Sequence, residues 1–168
     1  MDDQQTPMGH AGHEWRQGPY LISTDRRLID IDVVHAFLST SYWSPGISRA
    51  VVQRAIEHSL PFGLYHNGAQ IGLVRVVTDY ATFAYLCDVF VLPAWRGQGL
   101  GTWLLGVVTD DAALQGLRRW VLATRDAHDL YHRHGFSALA QPDVYMEKLD
   151  PMVYQRAGAA PAAQGARP

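Results

Sequence analysis

The sequence predicts an α/β domain built on a mixed sheet, antiparallel in its first part and parallel in its last. Three observations carry that expectation. Two β-rich runs flank Asn67-Gly68, a strong short-range hairpin signal. The run from Thr82 to Leu92 is long, aromatic and β-branched, as befits a strand inside the sheet. Beyond it, helix-spaced and strand-like segments alternate, the pattern that lays strands parallel.

Taken in order, Tyr20 to Ser23 is a short apolar run that reads as a strand. Ile31, Val34, His35 and Leu38 then fall on one helical face. Tyr42-Trp43-Ser44-Pro45-Gly46 breaks that helix, and Ser48 can cap a second one whose Val51, Val52, Ala55 and Ile56 recur on one side. The hairpin follows, then the inner strand, which Pro93 ends. Leu100, Leu104, Val107 and Val108 predict a helix from about Leu100. Trp120 to Thr124 reads as a strand, Ala127 to His134 as a short helix closed by Gly135, and Val144 to Leu149 as a last strand. The predicted order is β-α-α-β-β-β-α-β-α-β.

A chain of 168 residues with 48% hydrophobic content has the size and core of one domain. That domain is expected over residues 19–149, between a polar, loosely held extension at 1–18 and an Ala/Pro/Gly-rich tail at 150–168 expected to be disordered. A net charge of −2 gives no general attraction to nucleic acid or to an anionic membrane, and neither is expected as a partner. The single cysteine, Cys87, excludes an intrachain disulfide and a multi-cysteine zinc site. No signal-peptide pattern occurs, and no apolar run reaches the ~18 residues of a membrane span, so a cytoplasmic protein is expected.

Arg96-Gly97-Gln98-Gly99-Leu100-Gly101 stands between the inner strand and the first turn of the next helix. Three glycines raise the entropic cost of ordering that loop, so bare backbone there needs a reason. Free N–H groups and the positive end of the helix dipole make such a turn an anion site, and Arg96 adds charged, planar donors. Phosphate is the expected anion. The spacing is not the dinucleotide fingerprint G-x-G-x-x-G, and Gly101-Thr102 lacks the lysine of a P-loop.

The segment V-F-V-L-P-A-W-R-G-Q-G-L-G at 89–101 resembles the pyrophosphate-binding motif R/Q-x-x-G-x-G/A of the GCN5-related N-acetyltransferases (GNAT). A-T-R-D-A-H-D-L-Y-H-R-H-G-F at 123–136 resembles that family's later helix, with its Tyr and Gly-Phe ending. The motifs stand in the family's order, and the likeness covers about Pro19 to Leu149. It implies the GNAT fold, a mixed sheet of about six to seven strands flanked by about four helices. It also implies an N-acetyltransferase that moves an acetyl group from acetyl-CoA to a primary amine by direct attack. The pyrophosphate would lie on the amides of Gly97, Gln98, Gly99, Leu100, Gly101 and Thr102 and on Arg96. The pantetheine arm would pair with the strand Val89, Phe90 and Val91, and Asp126 would belong to the same cofactor site. Tyr131 matches the family tyrosine that protonates the leaving thiolate.

Asp88, a carboxylate inside the apolar run T-F-A-Y-L-C-D-V-F-V-L, is a candidate base for the amine, with an ion pair to Arg75 as its structural alternative. Tyr85 is a second candidate if a bulge shifts the phase of the strand, and ordered water without a dedicated base is a third reading. Tyr42 and Trp43 are candidate walls of the acceptor pocket; with Asp88 near its floor they would favour a small cationic amine. Antibiotic, polyamine, amino acid and protein N-terminus all stay open as acceptors. His128 and His132, spaced i, i+4, lack the glutamate of H-E-x-x-H, so no metal is expected. His10 and His13 belong to the N-terminal extension, Cys87 reads as a small buried residue, and Trp103 and Trp120 as core or interface area. Family members are often dimers, which leaves a homodimer as an open expectation. The non-catalytic alternative is a GNAT-like sensor that binds acetyl-CoA or CoA without turnover.

Overall fold

The computed structural model describes residues 12–157. Six strands form one sheet in chain order: β1 Glu14–Gln17, β2 Tyr20–Ser23, β3 Leu60–His66, β4 Ala69–Thr78, β5 Phe83–Val91 and β6 Arg119–Leu122. Neighbours are antiparallel except β5 and β6, which run parallel. The helices are α1 Ile31–Leu38, α2 Arg49–Glu57, α3 Leu100–Asp110, α4 His128–His132 and α5 Val153–Ala157. Asp30 caps α1 by accepting from the amides of Asp32 and Val33, and Ser48 caps α2 through Val51. Asn67 and Gly68 take φ of 48° and 86°, the left-handed pair that a tight hairpin turn demands. α3 supplies the crossover that two parallel strands require.

The core has two parts. α1 and α2 bury Val34, Leu38, Val52 and Ile56 together with Leu73 and Phe90. α3 buries Leu100, Leu104, Leu105 and Val108 together with Phe62, Leu64, Val74, Leu86 and Tyr131 of α4. β5 contributes to both, which an unbroken strand would not do at Leu86 and Phe90, since residues four apart share a face. The register explains it. Leu73 pairs with Phe90 and Arg75 with Cys87, so Asp88 and Val89 together oppose Val74 alone. Asp88 takes up this β-bulge at φ 51°, a left-handed conformation that Asp and Asn tolerate better than other side chains. The bulge turns the strand over, so that Phe90 faces α1 and stacks on Phe37 with ring centroids 4.0 Å apart. The last β5–β6 pair is Leu86 with Leu122, so from Cys87 onward β5 is paired on its β4 side alone.

The chain departs from the expected organisation at both ends. Residues 14–17, expected to be loosely held, form β1: Gly18 at φ 56° turns the chain back, and Trp15 packs on Phe62 at a centroid distance of 5.9 Å. The strand expected over Val144 to Leu149 does not form. Pro142–Val144 is a 3-10 turn, and the residues after it join no ladder: Tyr145 meets Arg119 of β6 through its side chain, while Met146 is 97% and Leu149 69% exposed. The tail expected to be disordered from 150 carries α5; its remainder, and residues 1–11 with His10, lie outside the described residues. Among the described residues no helix is long and apolar enough to cross a membrane.

Tyr65 of β3 is 3% exposed, yet its hydroxyl has no hydrogen-bond partner among the described residues. It fills the space beside Gly63, where a Cβ would stand 2.2 Å from the hydroxyl oxygen. Burial, then the charges of Asp25 and Asp30, push this phenol's pKa well up. An unsatisfied buried donor costs about 1–3 kcal/mol. Tyr65→Phe is therefore expected to keep or raise stability in urea unfolding, by up to about 1 kcal/mol, and a loss larger than that would mean the hydroxyl is satisfied in solution.

Candidate active site

Two clefts open where β5 and β6 part. The first, about 760 Å³, runs from the start of α3 past Val89, Phe90 and Val91 to Tyr131 and the α1–α2 loop. The second, about 500 Å³, lies over Tyr85, Cys87, Asp88 and the β6–α4 segment 123–127. Tyr42, Trp43, Val89, Arg125, Asp126, Ala127 and Tyr131 line both and form the partition between them.

The first cleft is built to receive an anion and a peptide-like chain. Gly99 precedes α3 with no side chain to cap it, and the helix's first bond runs from Trp103 N–H to Gly99 O at 3.0 Å. The amides of Leu100, Gly101 and Thr102 thus lack an acceptor within the helix, and all three residues line the cleft. Gly97 and Gly99 stand at φ 76° with nothing within 4 Å of where a Cβ would lie. Backbone conformation requires these glycines, not crowding by the chain itself; a Cβ on Gly101 would merely touch Leu130 at 4.0 Å. Arg96 donates its Nε–H to Val91 O at 2.8 Å, while Leu92 N–H bonds to Ile71 O of β4 at the same distance. Val91, and Val89 by the alternation of the strand, therefore turn main-chain groups to the side that lost its neighbour. The Gln98 side chain stands outside the cleft: its Oε1 accepts from the Tyr20 hydroxyl at 2.9 Å and ties the loop to β2.

In the second cleft the Asp88 carboxylate is engaged at both oxygens. Arg75 Nε donates to Oδ2 at 2.6 Å and Trp43 Nε1 to Oδ1 at 3.2 Å. Burial is the largest influence on the Arg75 cation and works against it, but the charge and hydrogen bond of Asp88, with smaller contributions from Cys87 and Tyr154, together outweigh it and hold its pKa above the ordinary value. The pair is neutral overall, and it fixes Trp43. Tyr85 lines the same cleft just before the bulge, its phenol raised by burial. Burial also pushes the Cys87 thiol up to about 12, and its S–H points to Arg75 O at 3.4 Å, so it is no nucleophile at neutral pH.

The α1–α2 loop is held at a second point. Arg125 N–H donates to Tyr42 Oη at 3.2 Å, and the Arg125 guanidinium lies 4.0 Å from the centre of the Tyr42 ring. Tyr131 stands at the partition, 7% exposed, with no hydrogen-bond partner for its hydroxyl among the described residues. Burial first, then Tyr42 and Asp126, push its pKa up to about 12, so the phenol keeps its proton throughout the neutral range. His128 and His132 lie exposed on α4, and among the described residues no group of three His, Cys, Asp or Glu is placed to hold a metal ion. Trp103 and Trp120 pack half-buried against the α3 part of the core. Arg125 is the residue that sequence reasoning passed over. It stands in A-T-R-D, but its partner Tyr42 is 83 positions away, and no local spacing reveals that contact.

The profile of the acetyltransferase (GNAT) family matches residues 30–136, more than half of the chain. A candidate acetyltransferase of Gibberella zeae is 36% identical over 143 residues, covering 71% of this chain and 80% of that protein. The crystal structure of a candidate GNAT acetyltransferase from Xanthomonas campestris pv. campestris is 49% identical, covers 80% of this chain and 96% of that one, and has a TM-score of 0.78. A candidate acetyltransferase from Clostridium acetobutylicum, solved with acetyl-CoA, is similar in fold alone: 16% identical, 77% of this chain and 94% of that one, TM-score 0.57. The chain belongs to the GNAT family of acetyltransferases and is an acyltransferase of a family that uses acetyl-CoA.

Proposed function

We propose that the chain is an N-acetyltransferase in which a small-molecule primary amine attacks acetyl-CoA directly and Tyr131 protonates the leaving thiolate. The observation that carries this reading is the place of Tyr131: a protonated phenol, without a hydrogen-bond partner among the described residues, on the partition between two clefts. A sensor would use the first cleft and have no role for that phenol or for the second cleft.

The first cleft fits acetyl-CoA. The uncapped amides of α3 and the terminal nitrogens of Arg96 suit a pyrophosphate, and the outward main chain of Val89 and Val91 suits pantetheine amides. Bound there, acetyl-CoA would supply a thioester carbonyl open to attack and a thiolate as leaving group. Tyr131 then gives its proton only to a strong base, which the thiolate is and the surrounding groups are not. Tyr42 and Trp43 wall the second cleft, where the acceptor amine would lie and give up its proton before it attacks.

Asp88 does not suit the role of base. Both its oxygens are engaged, Oδ2 by the Arg75 guanidinium and Oδ1 by the Trp43 indole, so neither is held free for an incoming amine. We assign it to positioning: it holds the bulge of β5 and the ring of Trp43. Tyr85, protonated because burial raises its phenol, cannot take the proton either and instead orients water that does.

Tyr131→Phe is expected to lower kcat at least ~10-fold while leaving acetyl-CoA affinity unchanged. With the folded phenol at about 12, the protonated donor persists as pH rises, so the wild-type kcat/KM should climb as the amine loses its proton. No falling limb should appear below about pH 10, the ordinary phenol value. Equal turnover in the mutant, or a falling limb near neutrality, contradicts the assignment. Asp88→Asn keeps an acceptor for Trp43 and a side chain that tolerates positive φ, so kcat should stay within ~3-fold of wild type with the same rising limb, whereas loss of a true base costs ~10²-fold or more. Asp88→Ala also frees Trp43 and should raise the KM of the acceptor.

A further inference from the structure

With Asp88 balanced by Arg75, the charges left at the second cleft are Arg125 and Asp126. They are consecutive and opposite in sign, yet among the described residues they make no ion pair with each other. Tyr42 is the reason on the arginine side. Its ring holds one face of the guanidinium at 4.0 Å, and its hydroxyl accepts from the Arg125 main chain at 3.2 Å. That leaves the guanidinium edge, with its planar set of donors, without an acceptor among the described residues. Asp126 is exposed, its carboxylate has no hydrogen bond among the described residues, and it lies close enough to Tyr131 to act on that phenol's charge.

We propose that the acceptor is a zwitterion, an amine that also carries a carboxylate as free amino acids do, with its carboxylate on Arg125 and its ammonium beside Asp126. The proposal rests on the acyl-transfer reading and names its acceptor class. It also reassigns Asp126, which the family resemblance placed with the cofactor: a bare carboxylate is a poor neighbour for a phosphate-bearing coenzyme and a good one for an ammonium. Position supports the orientation, because an amine at Asp126 stands beside Tyr131, where the leaving thiolate must be protonated. Size supports the class, since two anchored contacts, Tyr42 on Arg125 and Trp43 on Asp88, bound a cleft of about 500 Å³. A polyamine would face Arg125 with like charge, and a protein N-terminus brings no carboxylate of its own to that point.

The test is thiol release from acetyl-CoA with free amino acids, each beside its carboxamide and its decarboxylated amine. The amino acids should exceed both carboxyl-free partners in kcat/KM by at least ~10-fold, as a charge-assisted pair requires, and Arg125→Gln should collapse that ratio towards one. Asp126→Asn should raise the amino-acid KM and leave CoA affinity equal or tighter. Equal use of the carboxyl-free amines, or an Arg125→Gln loss that is the same for all three, overturns the proposal. If no amine releases thiol, acyl transfer to amines has failed, and calorimetry of the same amino acids with CoA-loaded protein decides the inference by itself. Binding that Arg125→Gln abolishes supports it, and absence of binding overturns it.

Discussion

Asp88 sits in β5 at φ 51°, with Arg75 on one carboxylate oxygen and Trp43 on the other. A left-handed non-glycine residue costs roughly 1–2 kcal/mol, and a hydrogen bond to a charged group contributes about 1.5–3 kcal/mol. The two contacts are therefore large enough to hold a conformation that the backbone alone would refuse. Everything functional lies downstream of that bulge. It turns β5 over, sends Phe90 into the α1–α2 side of the core, and coincides with the point where β6 ceases to pair. The main chain of Val89 and Val91 is thereby left facing away from β4 with no neighbouring strand, the Val91 carbonyl being met by Arg96.

The parted strands need something to set their distance, and the α1–α2 loop does so. Trp43 bonds to β5 through Asp88 and Tyr42 to the β6–α4 segment through Arg125, so adjacent aromatics tie the two sides together. The same contacts divide the opening into two clefts, with Tyr131 on the partition. In the proposed mechanism this arrangement keeps coenzyme and acceptor on separate surfaces that meet at one phenol. The electrostatics follow the same division: Asp88 is neutralised within the protein, while Arg125 and Asp126 stay available at the junction.

Much of this was legible in the sequence, for physical reasons that can be named. Asn67-Gly68, Ser48 and the helical spacing of Val34 and Leu38 are local signals, and the hairpin, the cap and the helix all formed where those signals stood. Gly97 and Gly99 marked a special loop, although the reason is positive φ and not close packing by the chain. β1 was missed because a four-residue strand with one large apolar side chain, Trp15, has no period to read. The strand expected at Val144 to Leu149 shows the opposite error: strand-like composition formed no ladder even beside a sheet that ends at β6, and Met146 and Leu149 stand exposed. Long-range contacts set the remaining limits. The Gln98 side chain is tied to Tyr20 and Arg125 is oriented by Tyr42, contacts that spacing along the chain does not reveal, whereas the Asp88–Arg75 pair was one of the readings open for Asp88.

The most direct test of the account is hydrogen–deuterium exchange with and without acetyl-CoA, since the claim concerns particular main-chain amides. Binding along the parted strand predicts slowed exchange in peptides containing Val89 to Val91 and residues 97–102, with the outer strands β1 and β2 unchanged. Slowing confined to other segments, or none at saturating coenzyme, would mean that the opening between β5 and β6 is not where the acetyl donor lies.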